Sequence, residues 1–306
     1  MSPPPPPSSS SPHDTHAVHA ADELLAKCRD KGAPVCVGLD PVVNKLPDAL
    51  GGLEPLAALE AFCRQVIEAV ADHVPAVKPQ AACFERYGSG GYAVYERVIR
   101  AARQAGLFVI GDAKRGDIGT SSAHYAAGLL AGEDEGAEGC DALTIHSYLG
   151  DDGIQPFLQA AKVTGRGLFA LVRTSNPGGD RLQNARLTDG RTVAELVADM
   201  VADLGCGTLG ESGYSLLGAV VGATKPDDIA SLRERMPQQL FLVPGFGAQG
   251  GSAEDVKGCF KADGTGAIIT ASRSVIYAYN PADTDWTAAV CEAARRLNRQ
   301  IAELLA

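Results

Sequence analysis

Short runs of Val, Ile, Leu and Phe recur along the chain, each followed by a polar loop and then a stretch where apolar residues return every three or four positions. The runs carry almost no polar residues, which marks strands buried on both faces, as in a parallel sheet. They fall at 34–39, 76–80, 107–111, 141–146, 167–173, 216–222, 240–244 and 267–271. The stretches between them predict helices over 17–31, 55–73, 92–104, 121–131, 154–162, 193–204, 227–235, 253–260 and 285–304. In the second of these, Leu56, Leu59, Phe62 and Ile67 keep close to the helical period. Alternation of eight strands with helices predicts an α/β protein built as a (β/α)8 TIM barrel, a single catalytic domain over 16–306. A doubly wound open sheet is the runner-up. It would bring GxGxxG directly after the first strand, where the chain instead reads Gly38-Leu39-Asp40-Pro41.

Residues 1–15 break the pattern. Five consecutive prolines and four serines give nothing to bury, so a disordered tail is expected there. The N-terminus lacks a charged start followed by an apolar run, so no signal peptide is expected. No apolar stretch approaches the ~20 residues that cross a bilayer. The expected location is cytoplasmic.

Composition changes this picture little. Hydrophobic residues make up 45% and charged residues 21%, an ordinary globular balance. A net charge of -10 argues against nucleic acid or an anionic membrane as partner, but a basic pocket can still sit on an acidic protein. The eight cysteines form no CxxC pair and are read as reduced core thiols.

Chemistry in such a barrel gathers at the C-terminal strand ends. Those ends carry Asp40, Lys78, then Asp112, Lys114 and Asp117, then His146, Arg173-Thr174-Ser175-Asn176, Thr224-Lys225, the loop Gly245–Gly251, and Ser272-Arg273. Residues two apart on a strand share a face, so Asp112 and Lys114 should both point into the mouth. Asp112-x-Lys114-x-x-Asp117 alone could be a salt-bridged strand end with a capping acid. With Asp40 and Lys78 added, it becomes an alternating set of two cations and three anions. Carboxylates favour a charged lysine. An ammonium in a dry pocket can donate a proton and stabilise a developing carbanion.

The glycine-rich run Pro244–Gly251, followed by Ser272-Arg273, reads as a phosphate grip, since bare backbone N–H groups and an arginine fork suit an anion. Without the arginine, the glycine-rich run could be only a tight turn. Ser175 and Asn176 could read the edge of a planar heterocycle or simply form a turn with Pro177-Gly178. His146 is expected to be pocket wall or to lie just behind it, and Trp286 to pack the last helix.

These segments resemble the orotidine 5'-phosphate decarboxylase family, in its long bacterial form. The motifs are Gly38-Leu39-Asp40-Pro41, Val77-Lys78-Pro79-Gln80 with Phe84-Glu85, Asp112-Ala113-Lys114-Arg115-Gly116-Asp117-Ile118-Gly119, Thr174-Ser175-Asn176-Pro177-Gly178, Pro244–Gly251 and Ser272-Arg273. They occur in order and cover most of the chain after the tail. The resemblance implies conversion of orotidine 5'-phosphate to uridine 5'-phosphate and CO2 without cofactor or metal, in a homodimer. It implies that Asp40 binds a ribose hydroxyl, and that Lys78 contacts the ribose and holds Asp112. Asp112 would lie beside the substrate carboxylate, and Lys114 would protonate C6. Asp117 would reach the neighbouring subunit's ribose. Ser175 would bond the pyrimidine, while Gln249, Gly250, Ser272 and Arg273 would hold the phosphate.

One position departs from the pattern: the family has Thr where this chain has Ser121, with Thr120 just before it, so either hydroxyl could meet the substrate. The stretch 179–214 is longer than a minimal barrel needs and is a candidate lid. Two other classes fit parts of the pattern. Sugar-phosphate lyases such as 3-keto-gulonate-phosphate decarboxylases share DxKxxD but use magnesium, with an acid where this chain has Lys78. A non-catalytic phosphate sensor would not need the full charged set.

Overall fold

The computed structural model describes residues 18–130, 139–223, 225–246 and 253–306. The expected tail over 1–15 lies outside the described residues, as do Thr224, Gln249, Gly250 and Gly251. Eight parallel strands close into a barrel in sequence order. They are β1 (Val35–Leu39), β2 (Ala76–Pro79), β3 (Phe108–Arg115), β4 (Ala142–Ile145), β5 (Gly167–Arg173), β6 (Leu217–Val221), β7 (Phe241–Val243) and β8 (Ala267–Ala271). Closure is carried by β1 against β8, with Val35 opposite Ile269 and Val37 opposite Ala271.

Before the first strand, α1 (Ala20–Lys31) packs at the starts of β3 to β7, and the outer layer contains α2 (Pro55–Val70), α3 (Ala82–Glu85), α4 (Gly88–Gln104), α5 (Gly119–Leu130) and α6 (Asp151–Thr164). It continues with α7 (Asp180–Gln183), α8 (Val193–Gly205), α9 (Pro226–Arg235), α10 (Ala253–Lys257), α11 (Arg273–Ile276) and α12 (Trp286–Leu305). Each long helix lays an apolar stripe on the strands. On α2 that stripe is Leu59, Phe62, Cys63, Val66, Ile67 and Val70, all essentially buried. Trp286 stacks on Phe62 with ring centroids 5.3 Å apart, so it does pack the last helix.

Three expectations need correcting. Cys206 is exposed and Cys83 and Cys291 are only partly buried, so only five of the eight free cysteines are core thiols. These three sit on helices or at their ends, where one face meets solvent. The strand placed at 107–111 runs on to Arg115, because the chain keeps pairing with β4 after a register shift between Gly111 and Arg115. Within the lid candidate 179–214, Val193–Gly205 is the ordinary outer helix α8. Thr192 and Glu195 close a reciprocal cap at its start.

Candidate active site

The C-terminal ends of the strands enclose a cavity of about 390 Å³. Asp40, Lys78, Asp112 and Lys114 line one wall, Ser175 and Asn176 a second, and Ser272 and Arg273 a third. Leu171, Val220 and Leu242 supply apolar surface from β5, β6 and β7.

Asp112 is the hub. Its Oδ2 accepts a hydrogen bond from Lys78 Nζ at 2.5 Å and from Gln80 Nε2 at 3.1 Å. Its Oδ1 accepts from Lys114 Nζ at 2.5 Å and from the Thr144 hydroxyl at 3.0 Å. Burial works against a charged Asp112, but the ammonium groups of Lys78 and Lys114 more than offset it and hold the carboxyl well below the usual range. Burial likewise pulls the Lys78 pKa down, and Asp112 and Asp40 reverse the effect, leaving it raised. Both groups therefore stay ionised in a nearly dry wall.

Lys114 reaches Asp112 by an unusual path. Its backbone has φ of 47°, the left-handed region, and it is the non-glycine residue with positive φ among the described residues. Simple strand alternation predicted that Asp112 and Lys114 share a face. The face is shared, but through a local break in the strand. The Thr144 Oγ1 accepts the Lys114 backbone N–H at 3.0 Å and fixes that break. The ammonium itself stays accessible, with the side chain 46% exposed, so it can meet a ligand.

Asp40 lines the same wall, and its charge acts on Lys78. The Asp40 Oδ2 accepts the Ser272 hydroxyl at 2.5 Å, while its Oδ1 is buried without a hydrogen-bond partner among the described residues. Ser272 was expected to serve a phosphate; here its hydroxyl belongs to Asp40. Gly38 allows that approach, because a Cβ there would collide with Ser272 Oγ.

Asp117 and Ser121 do not line this cavity. Asp117 sits beyond β3, where its Oδ1 accepts the Ile118 N–H at 2.8 Å and its backbone exchanges hydrogen bonds with the Ser122 hydroxyl. Thr120 and Ser121 are exposed on α5. His146 does not line the cavity; Gly116 packs on it so closely that a Cβ would overlap the imidazole. Arg173, expected at the rim, is instead almost fully buried.

A profile of the family described as Orotidine 5'-phosphate decarboxylase / HUMPS matches residues 33–284. The chain belongs to this family. Among curated members, orotidine 5'-phosphate decarboxylase of Rhodopirellula baltica is 42% identical over 297 residues, spanning 92% of this chain and 98% of the relative. The Deinococcus radiodurans protein of the same name is 46% identical, spanning 84% and 89%. A crystal structure from Streptomyces avermitilis superposes with a TM-score of 0.83 at 37% identity, covering 97% of this chain and 99% of that one. Leishmania donovani OMP decarboxylase gives 0.74 at 31% identity, covering 94% and 99%.

For this family member, sequence reasoning missed Gln80 and Thr144 as partners of Asp112, and Ser122 as the anchor of Asp117. Gln80 stood inside a quoted motif and could have been found there. Thr144 lies in the apolar run Ala142-Leu143-Thr144-Ile145, where a lone hydroxyl was the signal.

Proposed function

We propose that the chain is a carboxy-lyase that converts orotidine 5'-phosphate to uridine 5'-phosphate and CO2, the step that completes UMP synthesis, in a single domain over 16–306. The observation that carries this is the Lys78–Asp112–Lys114 chain of short ionic hydrogen bonds at the barrel mouth. It offers a fixed carboxylate for the substrate's carboxylate to lie against and an accessible ammonium beside it. In this reading the C6–carboxylate bond breaks and CO2 leaves with the electron pair remaining on C6. Lys114 then donates its proton to C6, and solvent restores the ammonium. Electrostatic stabilisation of the developing charge supplies the rate, with no cofactor or metal required. Like charges pressed together by Asp112 raise the ground state as well.

Asp40, whose Oδ1 has no hydrogen-bond partner among the described residues, takes a ribose hydroxyl, and Ser175 takes the pyrimidine edge. Arg273, exposed at the rim, holds the phosphate together with Gln249 and Gly250, which lie outside the described residues. Binding energy from the distant phosphate organises the reacting end. Asp117 and Ser121 serve the site of a second subunit. The exposed Ile118, Tyr125, Tyr148 and Leu149 nearby support a homodimer, since apolar side chains beside an otherwise unused motif suit a protein contact. No helix among the described residues is long and apolar enough to cross a membrane, and the proposed location is the cytoplasm.

The family description also covers HUMPS members, so a magnesium-dependent sugar-phosphate lyase is the competing reading. The Lys78 ammonium stands against it, because it occupies the wall where a divalent cation would need an anionic ligand. The deciding assay follows loss of orotidylate absorbance and release of CO2 in the presence of EDTA. Sustained turnover is expected; turnover that stops with EDTA and returns with magnesium would overturn the assignment.

A further inference from the structure

Arg173 closes β5 one residue before the cavity-lining Thr174, Ser175 and Asn176, yet it does not line the cavity itself. Its side chain is 2% exposed. Burying a guanidinium is costly unless its donors are matched. Here all three nitrogens have acceptors. Nε donates to Asp228 Oδ2 at 2.6 Å, Nη2 to Asp180 Oδ1 at 2.7 Å, and Nη1 to Gln183 Oε1 at 3.0 Å. Asp180 also accepts from Lys225 Nζ at 2.7 and 2.9 Å. The guanidinium thus joins the short helix α7, which carries Asp180 and Gln183, to α9 and the residue just before it, which carry Asp228 and Lys225.

The second half of the argument is where Gln183 leads. Its Oε1 also accepts the Thr174 N–H at 2.9 Å, and its Nε2 donates to the Thr174 hydroxyl at 2.8 Å. That hydroxyl donates to Asn176 Oδ1 at 2.7 Å. Both neighbours of Ser175 are therefore tied to the guanidinium. On the remaining side Gly222, at the end of β6, lies so close that a Cβ there would be 2.9 Å from the Ser175 backbone N and Cα. A Ser-Asn-Pro-Gly turn forms without such bracing. Asp180 and Asp228 are themselves 41% and 39% exposed, so their pairing with the buried guanidinium is weak evidence for a role in stability.

We propose that Arg173 is a positioning residue for the reaction: through Asp180, Gln183 and Thr174 it sets the place of Ser175 against the pyrimidine edge of the substrate, and through Asp228 and Lys225 it locks that place to the β6 side of the barrel. This rests on the proposed decarboxylase activity. Arg173→Gln should lower kcat/KM by roughly tenfold or more, a loss of about 1.4 kcal/mol for each factor of ten. Arg173→Lys should not rescue it, because one ammonium cannot serve three acceptors in a planar fork. Asp180→Asn breaks only the half-exposed part of the network and should give a smaller loss of the same kind with little change in thermal midpoint.

The decisive measurement is a double-mutant cycle with Ser175→Ala. If Arg173 acts through Ser175, Arg173→Gln or Asp180→Asn should cost much less in the Ser175→Ala background than in the parent. Independent, multiplicative losses in an active parent would overturn the positioning role alone. A parent enzyme that leaves orotidylate untouched would overturn the activity and this role together.

Discussion

Asp112 and Asp141 lie at opposite ends of neighbouring barrel strands and are almost equally hidden, at 5% and 4% exposed. Asp112 closes the mouth, while Asp141 precedes β4 on the opposite face. Asp141 is held by Arg166, by the Val109 N–H at 2.8 Å and by Arg103 at 3.6 Å. It borders a hollow of about 720 Å³, larger than the one at the mouth. Size and buried charge therefore do not mark the reactive end. The difference lies in the partners. Arginine does not give up its proton in a protein, and a backbone N–H cannot. Lysine can, and the two partners of Asp112 that matter are lysines, one of them reaching into the cavity. Asp141 ties the floor of the barrel together, whereas Asp112 arranges a movable proton.

The widest separation between the two ends should come from Lys114→Ala. Turnover is expected to fall by roughly 10³-fold or more, in line with loss of a general acid and the main countercharge. The thermal midpoint should change little, because the side chain is about half exposed. Near-parental activity would end the comparison. Asp141→Ala should do the reverse. It leaves Arg166 and the Val109 N–H without their acceptor and should cost about 3 kcal/mol in denaturant unfolding, as for a broken buried pair. The folded fraction should keep parental kcat. A stable Asp141→Ala enzyme with poor kcat would show that the floor also serves the chemistry.

The smallest effect concerns acid. A carboxyl depressed in the folded state adds stability that is fully present above its ordinary value of 3.8 and is lost as pH falls below that toward the folded value. Burial opposes the depression at Asp112, and the two lysines cause it. Unfolding free energy measured from about pH 5 down to about pH 2 should therefore fall more steeply in the parent than in Asp112→Asn. Parallel slopes would mean that other carboxylates control acid stability.

The barrel was legible because its strands are nearly pure runs of Val, Ile, Leu and Phe, and the period changes visibly from strand to helix. Boundaries were legible to within a few residues, except at β3. There the apolar run stops at Gly111, while pairing with β4 carries the strand on to Arg115. Lys78, Asp112 and Lys114 were legible as a charged set at strand ends. Their supports were not, since Thr144 and Gln80 reach Asp112 from other strands and local spacing cannot reveal a partner about thirty residues away. The phosphate grip fell partly on Gln249 and Gly250, outside the described residues. Arg173 was counted among the rim residues because charge at a strand end suggests exposure, and only the ring of acceptors from Asp180, Gln183 and Asp228 explains its burial.

The left-handed backbone at Lys114 sets two kinds of selection against each other. A side chain with a Cβ carries a conformational cost there of about 1–3 kcal/mol, which glycine escapes. A library screened only for heat resistance should therefore enrich glycine at 114 and return robust barrels with no turnover. Breeding this enzyme for hot or harsh use requires activity to be scored in every round, and position 114 is where neglect of that rule should first show.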